Sequence, residues 1–264
     1  MSTGGGSAER ILAILDLFTE DRLDWTPDQL MARLGYSRPT LYRYLKTLKD
    51  TGFLTALPNA GFTLGPRVTE LDYLMRKSDP LILHGTPVLD DLAQRFPGSA
   101  FLVRWYGQKL LCVASATSTP DQKSSYPRGR PMPLARGAIS RAILAFLPKR
   151  QQLPLIQANL PDFAALGLGD TPDAITTALR RVRRDGVAVA RGEVTPGVIG
   201  VAAPVFDAGR APIAALCLTS DAHSTDAARL DAVKHAIRTG AAAITAALAE
   251  HREDTDEPKT RRRA

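Results

Sequence analysis

Apolar positions recur with a helical period over the first fifty residues of the chain. After Ala8, residues Ile11, Leu15 and Phe18 fall at i, i+4 and i+7, the spacing of one buried helical stripe. The same period returns in a later basic segment, whose apolar face is formed by Leu41, Tyr44, Leu45 and Leu48. These two stretches predict the first and the third helix of an N-terminal domain.

The signals for a short second helix lie between these two stretches. Thr26 is placed to cap its start, a proline occupies the first helical position, and Gln29 completes a capping box. Gly35 then supplies the permissive backbone of a tight turn, and Ser37 is placed to cap the third helix. Gly52 marks the end of that third helix.

A hairpin is predicted directly after the three helices. Strand-like runs at 53–57 and 61–64 are separated by Pro-Asn-Ala, which is a turn signal. Three helices with a tight turn before the third, followed by a hairpin, are typical of a winged helix-turn-helix. We therefore predict a flexible N-terminus at 1–7, a DNA-binding domain at 8–67 and a linker helix at 68–80.

The remaining chain mixes strands with helices. Strand-like runs are predicted at 100–106, 109–115, 187–191, 198–206 and 212–219. Helices are predicted at 81–96, 137–147 and 173–184, and a final helix carries Leu230, Val233, Ile237, Ile244 and Leu248. This order predicts an α+β fold with an antiparallel sheet flanked by helices at 81–250, followed by a charged, disordered tail at 251–264.

Composition places the 264-residue chain among globular proteins, with 44% hydrophobic and 23% charged residues. No apolar run approaches the roughly 20 residues of a membrane span, and the N-terminus lacks an apolar signal core, so we expect a cytoplasmic protein without a membrane partner. The formal charge of +7 adds little by itself, because much of the excess lies in the second half. Cys112 and Cys217 lie in apolar runs, which favours buried, reduced thiols.

The polar face of the predicted third helix is basic. From Arg33 to Lys49 the chain has five positive residues and no acidic one. Because the N-terminal part of a recognition helix meets base edges, we expect its first turns to read sequence, and Lys46 and Lys49 to bind phosphates. The expected readers are Arg38, Thr40, Tyr42 and Arg43, and the remaining DNA-binding candidates are Ser37 and Pro39. An ordinary solvated helix face is the alternative.

Six motifs of the chain resemble, in order, those of the IclR family of bacterial transcriptional regulators. They are AERILAILDLF, SRPTLYRYLKTLKDTGF, FTLGPRVTEL, PLARGAISRAILAFLP, RRVRRDGVAVARGE and GVIGVAAPVFD. The resemblance extends over nearly the whole chain. It implies a homodimer or dimer of dimers that binds a palindromic operator in double-stranded DNA, and a GAF-like C-terminal domain that binds a small, often carboxylated or aromatic, metabolite.

The resemblance also implies an effector pocket beside the helix that follows PLAR. Carried over one position at a time, its residues are Ala138, Ile139, Ala190, Gly200, Cys217 and Thr219. Several family members have an acid at position 190, a cysteine at 200 and a serine at 217. The pocket is therefore expected to be roomier and less polar than one for a two-carbon acid, which favours a ligand with an aromatic or aliphatic body.

Three further residues are candidates for the same pocket. Arg136 can form a bidentate pair with a ligand carboxylate, or it is a solvated residue at a helix start. Glu193 matches an acid of the family, and it either meets the ligand or orders its own loop. Ser115 stands at a strand end, where it either lines the pocket or bonds to local backbone.

Motifs of metal, cofactor or hydrolytic chemistry are absent from the sequence. The four histidines are scattered, and HExxH, CxxC, GxSxG, a Walker loop and a dinucleotide fingerprint are lacking. We therefore expect no metal, no cofactor and no enzymatic activity. The predicted function is that of a ligand-responsive transcriptional regulator, with a repressor favoured over an activator. A non-specific architectural DNA-binding protein and a ligand-converting enzyme are the alternatives.

Overall fold

The computed structural model describes residues 6–118 and 126–256, with side chains up to 252. The chain divides after Ser78 into two compact units. The N-terminal unit contains α1 (Ser7–Leu15), α2 (Pro27–Leu34), α3 (Arg38–Asp50), β1 (Leu54–Ala56), β2 (Phe62–Leu64) and α4 (Pro66–Ser78). Strands β1 and β2 pair as an antiparallel hairpin, so this unit has the predicted winged helix-turn-helix layout.

Local capping explains where α2 begins, but not where α3 begins. Thr26 Oγ1 accepts the Gln29 N–H at 3.4 Å, and Gln29 Oε1 accepts the Thr26 N–H at 3.0 Å, which is the predicted capping box. The prediction that Ser37 caps α3 is wrong, because its hydroxyl donates to Thr40 Oγ1 at 2.9 Å instead. A capping side chain accepts the N–H of the second or the third residue of the helix. The second residue of α3 is Pro39, which has no N–H.

A single buried cluster holds the N-terminal unit together around Trp25. Its buried members are Ile14, Trp25, Leu30, Leu41, Tyr44, Leu45, Leu48 and Leu54. The backbones of Trp25 and Phe62 exchange N–H···O bonds of 3.0 and 2.8 Å, and the Trp25 indole N–H donates to the Leu17 carbonyl at 3.1 Å. Trp25 therefore fastens the hairpin to the helices, and α3 turns its apolar face toward this cluster.

The C-terminal unit is built on an antiparallel sheet, which has six strands in the described part of the chain. They are β3 (Ser99–Trp105), β4 (Leu110–Thr117), β5 (Pro131–Met132), β6 (Ala188–Arg191), β7 (Val198–Phe206) and β8 (Pro212–Asp221), in the order β5-β4-β3-β8-β7-β6. The helices are α5 (Pro80–Arg95), α6 (Gly137–Leu144), α7 (Lys149–Ala158), α8 (Leu160–Ala165), α9 (Pro172–Asp185) and α10 (Ala227–Asp256). The predicted α+β fold is confirmed.

Alternate residues of the central strands belong to two different cores. On β3, Phe101 and Val103 join the cluster that includes α6 and α9, whereas Ala100 and Leu102 join the cluster that includes α5 and α10. Successive side chains of a strand point to opposite faces of a sheet. Helices therefore cover the sheet on both of its faces.

The hydrophobic pattern does not predict α7, α8 or β5. Pro154 lies inside α7 and Pro161 lies in the first turn of α8. Because proline usually marks a helix boundary, this stretch lacks a clean helical signature. Strand β5 contains two residues, which is too short for an alternating pattern to be recognised.

The structure also corrects the expectations for the chain ends. Ser7 was expected to be flexible, but α1 begins there, and the Gly6 N–H in front of it donates to Glu9 Oε2 at 3.1 Å. The disordered tail expected from residue 251 is helical as far as Asp256, the end of α10. The remainder of that tail and residues 1–5 lie outside the described residues.

Candidate functional site

Helix α3 buries one face and exposes the other. Its buried residues are the four apolar ones that the helical period predicts. Exposed residues on the other side are Arg38, Pro39, Tyr42, Arg43, Lys46 and Lys49. Thr40 is half-buried near the start of the helix, and Ser37 is exposed in front of it. The predicted DNA-binding residues thus lie together at the accessible side of one helix.

The exposed face of α3 is positively charged. Within residues 6–118 and 126–252, none of its four basic side chains forms a salt bridge. The Arg38 guanidinium lies 5.6 Å from the centre of the Tyr42 ring, and that of Arg43 lies 5.3 Å from the Tyr44 ring. These rings support the arginine side chains, and the charges stay available to a polyanion such as DNA.

A second candidate site is a pocket in the C-terminal unit, between the start of α6 and strands β3, β7 and β8. The loop between β6 and β7 forms one of its sides. The lining residues are Phe101, Tyr126, Met132, Pro133, Arg136, Gly137, Ala138, Ile139, Ala190, Glu193, Val194, Thr195, Val198, Gly200, Cys217 and Thr219. Including the open solvent space at its mouth, the pocket has a volume of about 520 Å³.

Most residues proposed for an effector pocket meet in this cavity. They are Arg136, Ala138, Ile139, Ala190, Glu193, Gly200, Cys217 and Thr219. Ser115 lies outside the cavity and is exposed on β4. Helix α6 packs against β6, β7 and β8, and β3 separates those strands from β4. Ser115 pairs with the pocket residue Phe101, but its side chain is exposed and is not part of the lining.

The pocket wall is largely apolar and includes two aromatic rings. The rings of Phe101 and Tyr126 meet edge to face, with their centres 6.0 Å apart. Another part of the wall is made of small residues. A Cβ atom on Gly200 would meet Thr219 Cγ2 at 3.7 Å and Ala138 Cβ at 3.8 Å, which are ordinary contact distances. Gly200 therefore leaves space that a larger side chain would fill.

Some pocket residues are not predicted by the sequence pattern. Phe101 reaches the pocket because β3 pairs with β8, which places it opposite Cys217. No local signal near Phe101 indicates this long-range pairing. Val194 and Thr195 directly follow Glu193, so their position next to a predicted residue is a signal that points to them.

Two ion pairs lie at the pocket, in different environments. At the rim, Arg136 Nη2 is 2.9 Å from Asp162 Oδ1, and both side chains are 48% exposed. Deeper in, the Arg141 guanidinium makes two bonds of 2.8 Å to the Glu193 carboxylate, which also accepts the Gly137 N–H at 2.9 Å. The rim pair is open to exchange with solutes, whereas the inner pair is shielded from water.

Cys217 lines the pocket as a protonated thiol. Burial raises its pKa to about 12, and burial raises the pKa of Cys112 to about 11. Both cysteines are free and buried. Since the thiolate is the nucleophilic form, a thiol with so high a pKa is unreactive near neutral pH. Cys217 therefore contributes packing to the pocket wall rather than nucleophilic chemistry.

Among the described residues, no three His, Cys, Asp or Glu side chains come together as metal ligands would. None of the helices in this part of the chain combines the length and the apolar character needed to cross a membrane.

Comparison with known families gives two matches that together extend over most of the chain. The IclR helix-turn-helix domain matches residues 7–58. The C-terminal domain of bacterial IclR transcriptional regulators matches residues 75–246. The two matches contain α3 and the pocket, respectively.

Individual relatives agree with these matches. The HTH-type transcriptional regulator XynR of Escherichia coli K12 is 26% identical over 244 residues, which are 92% of this chain and 96% of XynR. An IclR transcriptional regulator from Alicyclobacillus acidocaldarius has a TM-score of 0.79 and 22% identity, with 93% of this chain and 99% of that chain covered. An IclR homologue from Microbacterium hydrocarbonoxydans, solved with 4-hydroxybenzoate, has a TM-score of 0.76 and 20% identity, with 92% and 99% covered.

The raised pKa of Cys217 predicts an unusual pH dependence of thiol alkylation. Compared with an ordinary thiol, a pKa of about 12 lowers the thiolate fraction at pH 8 roughly a thousandfold. Alkylation of Cys217 by iodoacetamide, followed by peptide mass spectrometry, should therefore rise about tenfold per pH unit between pH 8 and 10. In urea the rate should level off near pH 9. Equal rates in folded and unfolded protein at pH 8 would contradict this assignment.

Proposed function

The chain belongs to the IclR family of bacterial transcriptional regulators, and we propose that it is a repressor whose operator affinity changes when it binds a small aromatic or aliphatic carboxylate. It is a sequence-specific DNA-binding regulator. The exposed face of α3 carries the proposal, because its four basic side chains form no salt bridge among the described residues. A DNA duplex carries one negative phosphate charge every few ångströms, and it therefore attracts such a basic face.

We assign the reading of bases to the first turns of α3. Arg38 and Arg43 have the forked donors that suit a guanine edge, and Tyr42 lies between them on the exposed side. Lys46 and Lys49 lie further along the helix and suit phosphates, which position the protein without reading sequence. In a homodimer or a dimer of dimers, two such helices would meet the two halves of a palindromic operator.

We assign the effector to the pocket beside α6. The rings of Phe101 and Tyr126 and the apolar wall suit an aromatic or aliphatic body. Arg136 at the rim suits a carboxylate, because its present partner Asp162 is an exposed carboxylate that a ligand could replace. The bound 4-hydroxybenzoate of the Microbacterium homologue is a ligand of this chemistry and supports the choice.

Regulation requires that the effector bind one DNA-binding state more tightly than the other. A coupling free energy of about 1–3 kcal/mol, typical of allosteric proteins, would change operator affinity roughly 5- to 150-fold. We favour repression because occupying a promoter blocks transcription directly, whereas activation needs a further surface for the transcription machinery. The same α3 and the same pocket would serve either sign of regulation.

Selection on random duplex DNA tests the proposed function directly. Purified full-length protein is incubated with a random library at near-physiological salt, and the retained DNA is sequenced. An enriched palindrome is expected, since two copies of one recognition helix read related half-sites. A folded protein that retains DNA without sequence preference, with strong salt dependence, would instead be an architectural DNA-binding protein.

Loss of a single arginine from the outer face of α3 should weaken binding to the selected operator. For Arg43→Ala we expect a loss of about 1–3 kcal/mol, or roughly 5- to 150-fold in Kd, with relaxed preference at one base pair. Arg76→Ala is the matched control, because Arg76 is an exposed arginine on α4 of the same unit. Unchanged affinity of a folded Arg43→Ala protein would remove Arg43 from the DNA contact.

Replacing Arg136 with alanine should weaken effector binding and leave DNA binding without ligand unchanged. Losing a charge-assisted pair is expected to weaken binding of an aromatic acid, with 4-hydroxybenzoate as the first probe, by about 10- to 150-fold in calorimetry. Arg150→Ala, which removes an exposed arginine of α7, is the control. If Arg136→Ala binds the acid as tightly as the unchanged chain, the carboxylate lies elsewhere.

A further inference from the structure

Glu193 and Arg141 form an ion pair that joins the β6–β7 loop to α6. Arg141 Nη1 and Nη2 each donate to one oxygen of Glu193 at 2.8 Å, and Nη2 also donates to the Val189 carbonyl at 2.7 Å. The Gly137 N–H donates to Glu193 Oε2 at 2.9 Å. The side chains are 6% exposed for Arg141 and 17% exposed for Glu193. Water and salt therefore weaken this pair far less than a surface pair.

The loop that carries Glu193 lies between two glycines with left-handed backbone. The φ angle is +66° at Gly192 and +76° at Gly197. The Gly192 N–H donates to the Val198 carbonyl at 2.8 Å, which closes the base of the loop. Small residues at both ends of a short segment allow it to swing on a fixed base.

Val194 rests directly on the start of α6. A Cβ atom on Gly137 would lie 3.0 Å from Val194 Cγ2, a tight contact, and the φ of +86° at this position favours glycine. Val194 itself is 41% exposed, which places it at the outside of the pocket. Gly137, Val194 and Thr195 all line the pocket. Lifting the loop away from α6 therefore opens the pocket on this side.

We propose that Glu193 is a positioning residue whose ion pair with Arg141 latches the β6–β7 loop over the pocket. Both of its carboxylate oxygens are bonded to groups of α6, so Glu193 acts on the loop rather than on a ligand. Ligand exchange then takes place when the latch is open. This inference rests on the proposed function in one respect, which is that the cavity is the effector site.

Cys217 can report the state of the latch without any ligand. It lines the pocket, whereas Cys112 is buried in the same core and does not line the pocket. The native full chain is treated at pH 8 with methyl methanethiosulfonate, a small neutral thiol reagent, and modification of each cysteine is timed by peptide mass spectrometry. Glu193→Gln is expected to speed modification of Cys217 by at least about tenfold through local opening, with the Cys112 rate unchanged.

Two further variants make the result specific. Asp162→Asn is the matched control, because it makes the same carboxylate-to-amide change in the exposed rim pair, and it should leave both rates unchanged. The double variant Arg141→Gln with Glu193→Gln leaves no buried charge of this pair unpaired. It should increase the rate of Cys217 modification as much as Glu193→Gln does.

The outcomes against the proposal are distinct. Equal acceleration of Cys112 and Cys217 in Glu193→Gln and in the double variant would indicate a loosened fold. An unchanged Cys217 rate would indicate that the ion pair does not hold the loop. Either result overturns the latch. Because the assay contains neither effector nor operator, it can fail while regulation of DNA binding stands.

Discussion

Burial of both faces of the sheet is the constraint on which the C-terminal unit depends. Helix α6 lies on one face and is buried along its whole length, including its one charged residue, Arg141. An unpaired charge in such a place is strongly destabilising, so Arg141 needs a partner within reach. Glu193 supplies it and thereby fixes the loop after β6 against the start of the helix. The pocket is the space left between this helix start, the loop and the strands.

In the N-terminal unit the important feature is an exposed surface, the polar face of α3. The apolar side of α3 is satisfied by a compact cluster around Trp25, which also holds the hairpin in place. The polar side of α3 is therefore not needed for the packing of this unit. Its arginines lie beside aromatic rings of the same helix, a contact that supports them without neutralising their charge. The helix thus presents its basic side chains on an exposed face.

The sequence predicts those features that are decided by neighbours in the chain. The capping box at Thr26, the apolar face of α3 and the bounds of β7 follow from local chemistry and period. Features that depend on distant partners are not predictable in this way. Arg141 and Glu193 are 52 positions apart, and nothing near either residue indicates their bond.

The residues of the candidate pocket also fall into two groups, those that the sequence indicates and those that depend on distant strand pairing. Residues of α6 and of the loop after β6 lie in segments that resemble family motifs, and they line the cavity. Phe101 belongs to no such motif and reaches the pocket through strand pairing alone. Ser115 has the right chemistry and a suitable strand end, but its side chain is exposed and lies outside the cavity, although it pairs with Phe101. The order and pairing of the strands depend on the whole unit and therefore cannot be predicted from a single segment of the sequence.

Gly200 has a consequence for how such a protein changes over evolutionary time. The glycine is not held by a special backbone conformation, and the atoms nearest to its absent side chain lie at comfortable contact distances. An alanine there would reduce the volume of the cavity while its Cβ atom stays at ordinary contact distances. Under the proposed function, ligand preference can then drift in single steps, while the proposed recognition face of α3, carried by a separate unit, stays as it is.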